Sequence, residues 1–591
     1  MLAQTSRQAL MAVSGPCLHT LADHVFMTNY PSVTASLASK MDEALRVTRT
    51  KLGLHPSACA SHETRPDSSF TEDRINLPAR NGGAALITAE SRQEACFLGA
   101  LYRTMQLMVD RKSPGGTVIR GSCSGLSALL GDGAFDSGGL GFSELVAGSS
   151  VLGQEVKRAF EALESRSEQI RAKIHSGGLL LFGSQAKLDD ELAGMLAADP
   201  TNVGFAEIGC YPDGAPVDKG KLTKAIMRSY FDAKETLLRV RARKLPPDDP
   251  RRRAFGQATT DSARFFLDSL HPHIAFSGNE FVEAVNFQFG LPTEAASDAR
   301  KHSTYFSDRV MDKYGWGLNN LISLKDGGQR TKLHNTINGF LEKAALSTQA
   351  DYTCEIDDLL AAKLPPGSVA EGITKDYATR RSQRNVIPDV QLNMEEGETF
   401  GKISGGVELN MDTKTVSSEA AYNGASNLFE SVVAQREKKV HPGYLRHGAE
   451  MDEALYPGLE VAPNRGPIVQ FLCQLAHPVQ GIVVGAFGEF SPNTSSLLKY
   501  IADRLEFQFA CQAGASTRGK KGHFLWDLKR RLSLTAIRGW ARLRLKRAGK
   551  VAGLCDRLVS DVPQYDPMGP GAPADGLHDA FVAEQSHSAF W

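Results

Sequence analysis

Asp389, Asp412 and Lys414 are the residues of this chain whose types and spacing best suit chemistry. They lie in "VIPDVQL" (386–392) and "VELNMDTKTV" (407–416), two segments with strand-like alternation around a polar, Gly-bearing stretch. Side chains alternate faces along a strand, so Glu408, Asn410, Asp412 and Lys414 share one side, opposite Val407, Leu409, Met411, Thr413 and Thr415. The two aspartates are 23 residues apart, room for both strands and their connection, and antiparallel pairing would bring Asp389 within reach of Asp412. Pro388 suits a strand start. Carboxylates that close repel unless a cation separates them, and hard oxygen ligands suit Mg²⁺. A metal so held activates water and polarises a phosphoryl oxygen, with Lys414 steadying the nucleophile or the developing charge. These are the parts of phosphodiester hydrolysis. The plain alternative is an exposed hairpin with salt-bridged polar residues, and Glu408 with Asn410 is a competing frame that lacks the lysine.

Accessory groups are expected from the helix before these strands, where His334 and Glu342 are eight residues apart and share a face. A solvated helix face is the alternative for both. Glu489, in the turn between an apolar strand and the next helix, is expected to offset that helix's N-terminal dipole.

A second cluster runs through "STRGKKGHFLWDLKRRLSLTAIRGWARLRLKRAGK" (516–550). Lys520, Lys521, Lys529, Arg530, Arg531, Arg538, Arg542, Arg544, Lys546 and Arg547 stand there with Asp527 as the single acid. Lys+Arg and Asp+Glu balance at 67 each over the chain, so this excess is local. Local positive clustering neutralises phosphates and releases counterions, which points to nucleic acid: DNA first, RNA as the alternative. Phe524, Trp526 and Trp540 are read as core, with base stacking as their other use.

The elements that must position these residues follow from periodicity. From about residue 331 the order is helix, strand, strand, helix "SNLFESVVAQREKK", buried strand "GIVVGAF" and helix "SPNTSSLLKYIADRL", a compact α/β module. Ser491 caps the last helix and Pro492 occupies its first position, where a missing N–H costs nothing. Before 331 the pattern is helical in pieces, with "SRQEACFLGALYRTMQLMV" opening on a Ser91–Glu94 capping box. Three look-alikes are set aside. "GASTRGKK" (514–521) has Lys521 where a phosphate loop needs Ser or Thr, "CEIDDLL" (354–360) reads as an acidic helical patch, and "HPH" (271–273) reads as a loop.

At 591 residues the chain exceeds one hydrophobic core, and three or four domains are expected. Nine scattered cysteines without a CxxC pair read as reduced thiols of an intracellular protein. The longest apolar runs are too short to span a bilayer, and the N-terminus lacks a secretory h-region. No membrane association is expected, and oligomeric state is not legible.

Further motifs carry a family resemblance. "LPARNGG" with "ACFLGALYRTM", then "KLHNTINGFL", "IPDVQL", "MDTKTV", "GIVVGAFGEFSPNTSSLLKYIA" and "IRGWARLRL" follow in an order that resembles the post-polymerase region of non-LTR retroelement reverse-transcriptase-like proteins. Ala84 and Ala85 depart from that pattern, and the chain has neither a polymerase catalytic pair nor a zinc knuckle. The resemblance implies a restriction-like, PD-(D/E)XK-type endonuclease that nicks DNA with Mg²⁺, with Asp389 and Asp412 as metal ligands and Lys414 catalytic. It also implies a nuclear setting and a decayed or domesticated fragment without polymerase activity. A non-catalytic nucleic-acid-binding protein and a protein-binding scaffold are the rival classes.

The expected fold class is therefore mixed: an α-helical N-terminal half, a C-terminal α/β restriction-endonuclease-like domain and a basic helical appendage. Its divisions are a helical post-polymerase-like region (1–113), a Gly/Ser-rich connection (114–152), a mostly helical region (153–330), the α/β domain (331–510), a basic helical nucleic-acid-binding region (511–560) and a disordered tail (561–591).

Overall fold

The computed structural model describes residues 18–51, 68–78, 81–109, 151–159, 161–163, 165, 166, 169, 222–246, 249–258, 276–302, 305, 306, 309, 310, 312–319, 328–354, 388–417, 431–455, 466–513 and 521–551. The Gly/Ser-rich connection up to residue 150, the "HPH" loop, the acidic run after Cys354, the look-alike phosphate loop with Lys520, and the tail 561–591 lie outside them. The described residues are mostly helical and carry a small mixed sheet. No helix among them is long and apolar enough to cross a membrane.

Two units divide the chain. Among the described residues of the first, 1–255 with 289–291, the regular elements are helices. Its helices are α1 (Leu18–Thr28), α2 (Pro31–Lys51), α3 (Ser68–Ile75), α4 (Gln93–Val109), α5 (Leu222–Lys244) and α6 (Pro250–Ala258), the last running two turns past Pro250. Ala22, Phe26, Ala38, Ala89 and Cys96 form one apolar cluster where α1, α2 and α4 meet. The capping box is not made: α4 opens at Gln93, Ser91 donates to the Thr88 carbonyl at 2.8 Å, and Glu94 forms a buried ion pair with Arg166 at 2.9 Å. A guanidinium within reach is a stronger partner for a buried carboxylate than a backbone N–H.

The second unit, residues 256–288 with 292–591, holds α7 (Gly278–Phe289), α8 (Glu294–His302), strands β1 (Tyr305–Phe306) and β2 (Arg309–Val310), α9 (Trp316–Asn319) and α10 (Gln329–Leu346). There follow β3 (Asp351–Cys354), β4 (Val390–Asn393), β5 (Thr399–Phe400), β6 (Ile403–Ser404), β7 (Glu408–Val416), α11 (Val432–Lys438), α12 (Val440–Leu455), α13 (Pro467–Gln474), β8 (Gln480–Gly485), α14 (Pro492–Ala513) and α15 (Lys521–Val551). The main sheet has the order β3-β4-β7-β8, antiparallel across β3–β4 and β4–β7 and parallel across β7–β8. The sequence order of the α/β module is present, with β3, the β5–β6 hairpin, α12 and α13 added to it. Elements of two or four residues leave too little alternation to read.

β7 is an inner strand and is covered on both faces: Leu409 and Met411 are fully buried, and so are Thr413 and Asp412. Its polar side is therefore not the open face of an exposed hairpin. Ser491 and Pro492 do open α14. Ser491 and Thr494 also close the outer edge of β8, the Ser491 N–H meeting the Val483 carbonyl at 2.9 Å and Thr494 Oγ1 accepting the Val483 N–H at 3.0 Å.

The expected basic appendage is instead an interior helix. α15 packs against α8, α9, α10 and α14, with Leu532, Leu534, Ala536, Ile537, Trp540 and Leu543 buried around its circumference. A helix that buries apolar residues around its circumference belongs in a core. Arg530, Arg531, Arg538, Arg544 and Arg547 are buried with it. Glu280 of α7 meets Arg538 at 3.3 Å and also binds Arg542. Glu283 takes Arg544 at 2.6 Å, whose guanidinium stacks 4.0 Å from the Phe287 ring centre. Arg547 donates to the Leu318 and Asn319 carbonyls at 2.6 and 2.9 Å, Arg531 pairs with Asp527 at 2.7 Å, and Arg530 lies 4.9 Å over Trp526. The phosphate-neutralising face predicted for this stretch is thus absent from most of α15. Lys529, Arg542 and Lys546 keep partial exposure, and Lys521 heads the helix.

Candidate active site

The β4–β7 register decides the site. Val390 pairs with Met411, so the next rung places Asp389 opposite Asp412, as antiparallel pairing predicted. The two carboxyl groups lie close enough to shift each other's pKa in opposite directions. Asp389 Oδ2 accepts the Thr413 N–H at 2.7 Å and lies 3.1 Å from His334 Nε2. The same Nε2 is 3.1 Å from the Thr413 carbonyl oxygen. Both partners are acceptors, so Nε2 carries the proton. Lys414 Nζ stands 2.6 Å from Asp412 Oδ2, close in distance but outside hydrogen-bond angles.

Burial governs the charges. The Asp412 side chain is 3% exposed, and desolvation pushes its pKa up to about 7; the Lys414 ammonium pulls it down, while Asp389 raises it further. Burial also acts upward on Asp389, but the hydrogen bonds from His334 and Asp412 and the charges of His334 and Lys414 hold it below the usual carboxylate range. Of the two, Asp412 therefore takes up a proton more readily. His334 is pulled down by burial and pushed up by the hydrogen bond and charge of Asp389; the partner wins, and its pKa is raised. Asp389, His334 and Lys414 side chains keep 25%, 25% and 37% exposure, so the cluster opens to solvent on that side.

Comparison with protein-family models, with curated proteins and with solved structures finds no match to this chain. The functional reading rests on the site itself.

Asp389, Asp412 and Lys414 are thus brought together, and His334 joins them rather than lying on a solvated face. Glu342 sits two turns further along α10, about 12 Å up the axis. Glu408 faces Asn393 at the far end of the ladder and accepts from Asn410 at 3.5 Å, which removes the competing frame. Glu489 does not serve the α14 N-terminus. Its buried carboxyl turns back to the Phe487 N–H at 2.7 Å, and Oε1 has no hydrogen-bond partner. Desolvation raises its pKa to about 7.

Sequence reasoning missed Tyr444. It projects from α12, is 6% exposed, and its hydroxyl comes close enough to Asp412 for each to act on the other. Burial first, and then the charges of Asp412 and Asp389, raise its pKa well above the usual phenol value, so it stays a donor. Gly481 makes this approach possible. It pairs with Asp412 across the β7–β8 ladder, and a Cβ there would meet Val440 Cγ2 at 2.8 Å and the Glu437 Cα at 3.2 Å. Thirty-two residues separate Tyr444 from Asp412, and "VHPGY" carries no chemical pattern that would link them.

Among the described residues no three His, Cys, Asp or Glu side chains form a ready metal cage. Two carboxylates in contact, an Asp412 oxygen without a hydrogen bond and an ammonium drawn against it nevertheless make a place that calls for positive charge. The oxygen donors fit Mg²⁺, which takes one or two protein carboxylates and keeps its waters.

Proposed function

We propose that this chain hydrolyses phosphodiester bonds of nucleic acid, DNA in the first instance, in a Mg²⁺-dependent reaction at Asp389, Asp412 and Lys414. The observation that carries the reading is the direct opposition of the two aspartates with Lys414 two residues on, on one face of the sheet. The chain order supports it further: helix α10, the antiparallel run β3–β4–β7, helices, then β8 parallel to β7. That order is compatible with the restriction-like arrangement implied by the motif resemblance, which also suggests a retroelement-derived nicking module as the setting.

Asp389 and Asp412 would hold the cation. Bound there, Mg²⁺ supplies Lewis-acid charge that polarises a phosphoryl oxygen and acidifies water. Lys414, held at Asp412 Oδ2 and partly desolvated, would supply positive charge beside the place where negative charge builds during attack. His334, with Nε2–H on Asp389, fixes that carboxylate's orientation. A binding-only role through 516–550 draws less support, because the buried arginines of α15 are engaged within the fold.

The test is supercoiled plasmid incubated with purified chain and Mg²⁺. Nicking should appear and fall by about two to three orders of magnitude in Asp412→Ala and Lys414→Ala. Equal nicking by wild type and both variants would remove the assignment.

A further inference from the structure

Asp412 is the least exposed member of the cluster, and α12 lies beside it over Gly481 of β8, the strand partner of Asp412. Three features hold α12 there. Val440, Tyr444, Met451, Ile468, Leu472 and Val479 form one apolar cluster joining α12, α13 and the approach to β8. Asp452, near the end of α12, accepts the Ile468 and Val469 N–H groups at 2.9 and 3.0 Å and so ties α12 to the start of α13. His441 Nδ1 accepts the Val479 N–H at 3.3 Å. The Tyr444 ring is therefore seated by packing that does not depend on its hydroxyl, while the hydroxyl comes close to Asp412.

A carboxylate that holds a cation through one lone pair needs its remaining lone pairs directed, and outer-shell donors do this. We propose that Tyr444 is a positioning residue: its hydroxyl holds Asp412 in the orientation that faces Asp389, so that the pair binds a divalent cation tightly. This rests on the metal-dependent reading above. His334 does the corresponding work for Asp389 from α10, so each carboxylate is oriented by a donor from a different helix.

The experiment is a Mn²⁺ titration of the full chain, with free Mn²⁺ counted by electron paramagnetic resonance, on wild type, Tyr444→Phe and Asp412→Asn. Phe keeps the ring and its packing, so the thermal midpoint without metal should match wild type. The expected result is Mn²⁺ affinity lowered tenfold to a hundredfold in Tyr444→Phe and lost in Asp412→Asn, with plasmid nicking by Tyr444→Phe restored at high Mn²⁺. A purely packing role would lower the thermal midpoint and leave nicking unrestored, which overturns the proposal. Wild-type affinity in Tyr444→Phe overturns it too and leaves the nuclease reading standing. Mn²⁺ binding with the predicted loss but no nicking in any protein supports the positioning role and overturns the nuclease. No Mn²⁺ bound by wild type overturns both.

Discussion

Asp389 and Asp412 face each other across the β4–β7 ladder, one rung beyond Val390 and Met411, and burial makes Asp412 the readier of the two to take up a proton. The consequences of that relationship, and of the packing around it, can be measured.

The first concerns pH. Asp412 has its pKa raised to about 7 and Asp389 is lowered, so on acidification Asp412 takes up its proton first. A protonated carboxyl is a poor cation ligand. Nicking should fall as pH drops below about 7, and a tenfold rise in Mg²⁺ should move the midpoint of that acid limb down by up to about one pH unit. Plasmid nicking rates across pH at two Mg²⁺ concentrations check this; a midpoint indifferent to Mg²⁺ contradicts it.

A second lies outside the proposed machinery. Glu489 is raised to about 7 from an ordinary 4.5. Below the unfolded value both states are protonated and the group is neutral in effect; between about 4.5 and 7 the unfolded chain ionises first, so stability falls as pH rises, and above that the loss is constant. Glu489→Gln removes the ionisation while keeping an oxygen for the Phe487 N–H. Its thermal midpoint should exceed that of wild type at pH 8, with a gain of up to about 3 kcal/mol, and the two should converge by pH 4.

Gly481 offers a test of packing. A side chain there must push Val440 and the Glu437 backbone away from the sheet. Gly481→Val should cost about 1–3 kcal/mol and carry Tyr444 off Asp412, so that loss of stability and loss of Mn²⁺ affinity appear together. Full Mn²⁺ affinity in a destabilised variant would separate the two.

The buried arginines make the fourth. Arg544→Ala strands Glu283, buried and raised by desolvation, without its cation. Breaking such a pair costs about 3–5 kcal/mol, so the thermal midpoint should drop by several degrees. Were Arg544 a phosphate contact, the midpoint would hold and the salt dependence of DNA binding would fall instead.

These outcomes bear on what the sequence discloses. Strand alternation and a 23-residue interval were enough to bring Asp389, Asp412 and Lys414 together, because antiparallel neighbours and period two are local rules. His334 could be nominated from its helix face but not chosen over Glu342, since that choice depends on which turn of α10 reaches the ladder. The basic stretch was misread for a different reason. The acids that answer Arg538 and Arg544 are Glu280 and Glu283, 258 and 261 residues earlier, and no local window contains them. Tyr444 is invisible on the same grounds: it reaches Asp412 through the fold of α12 over Gly481.

The ion pair between Lys414 and Asp412 has one more consequence. A site built from two acids alone would strain the protein whenever no metal was at hand, and its folding would wait on supply. Here the chain carries its own placeholder cation, tethered two residues away. Chelators should therefore leave the fold intact, unlike small domains that collapse without their metal. In the reaction proposed above, an incoming ion would have to displace this ammonium before it bound.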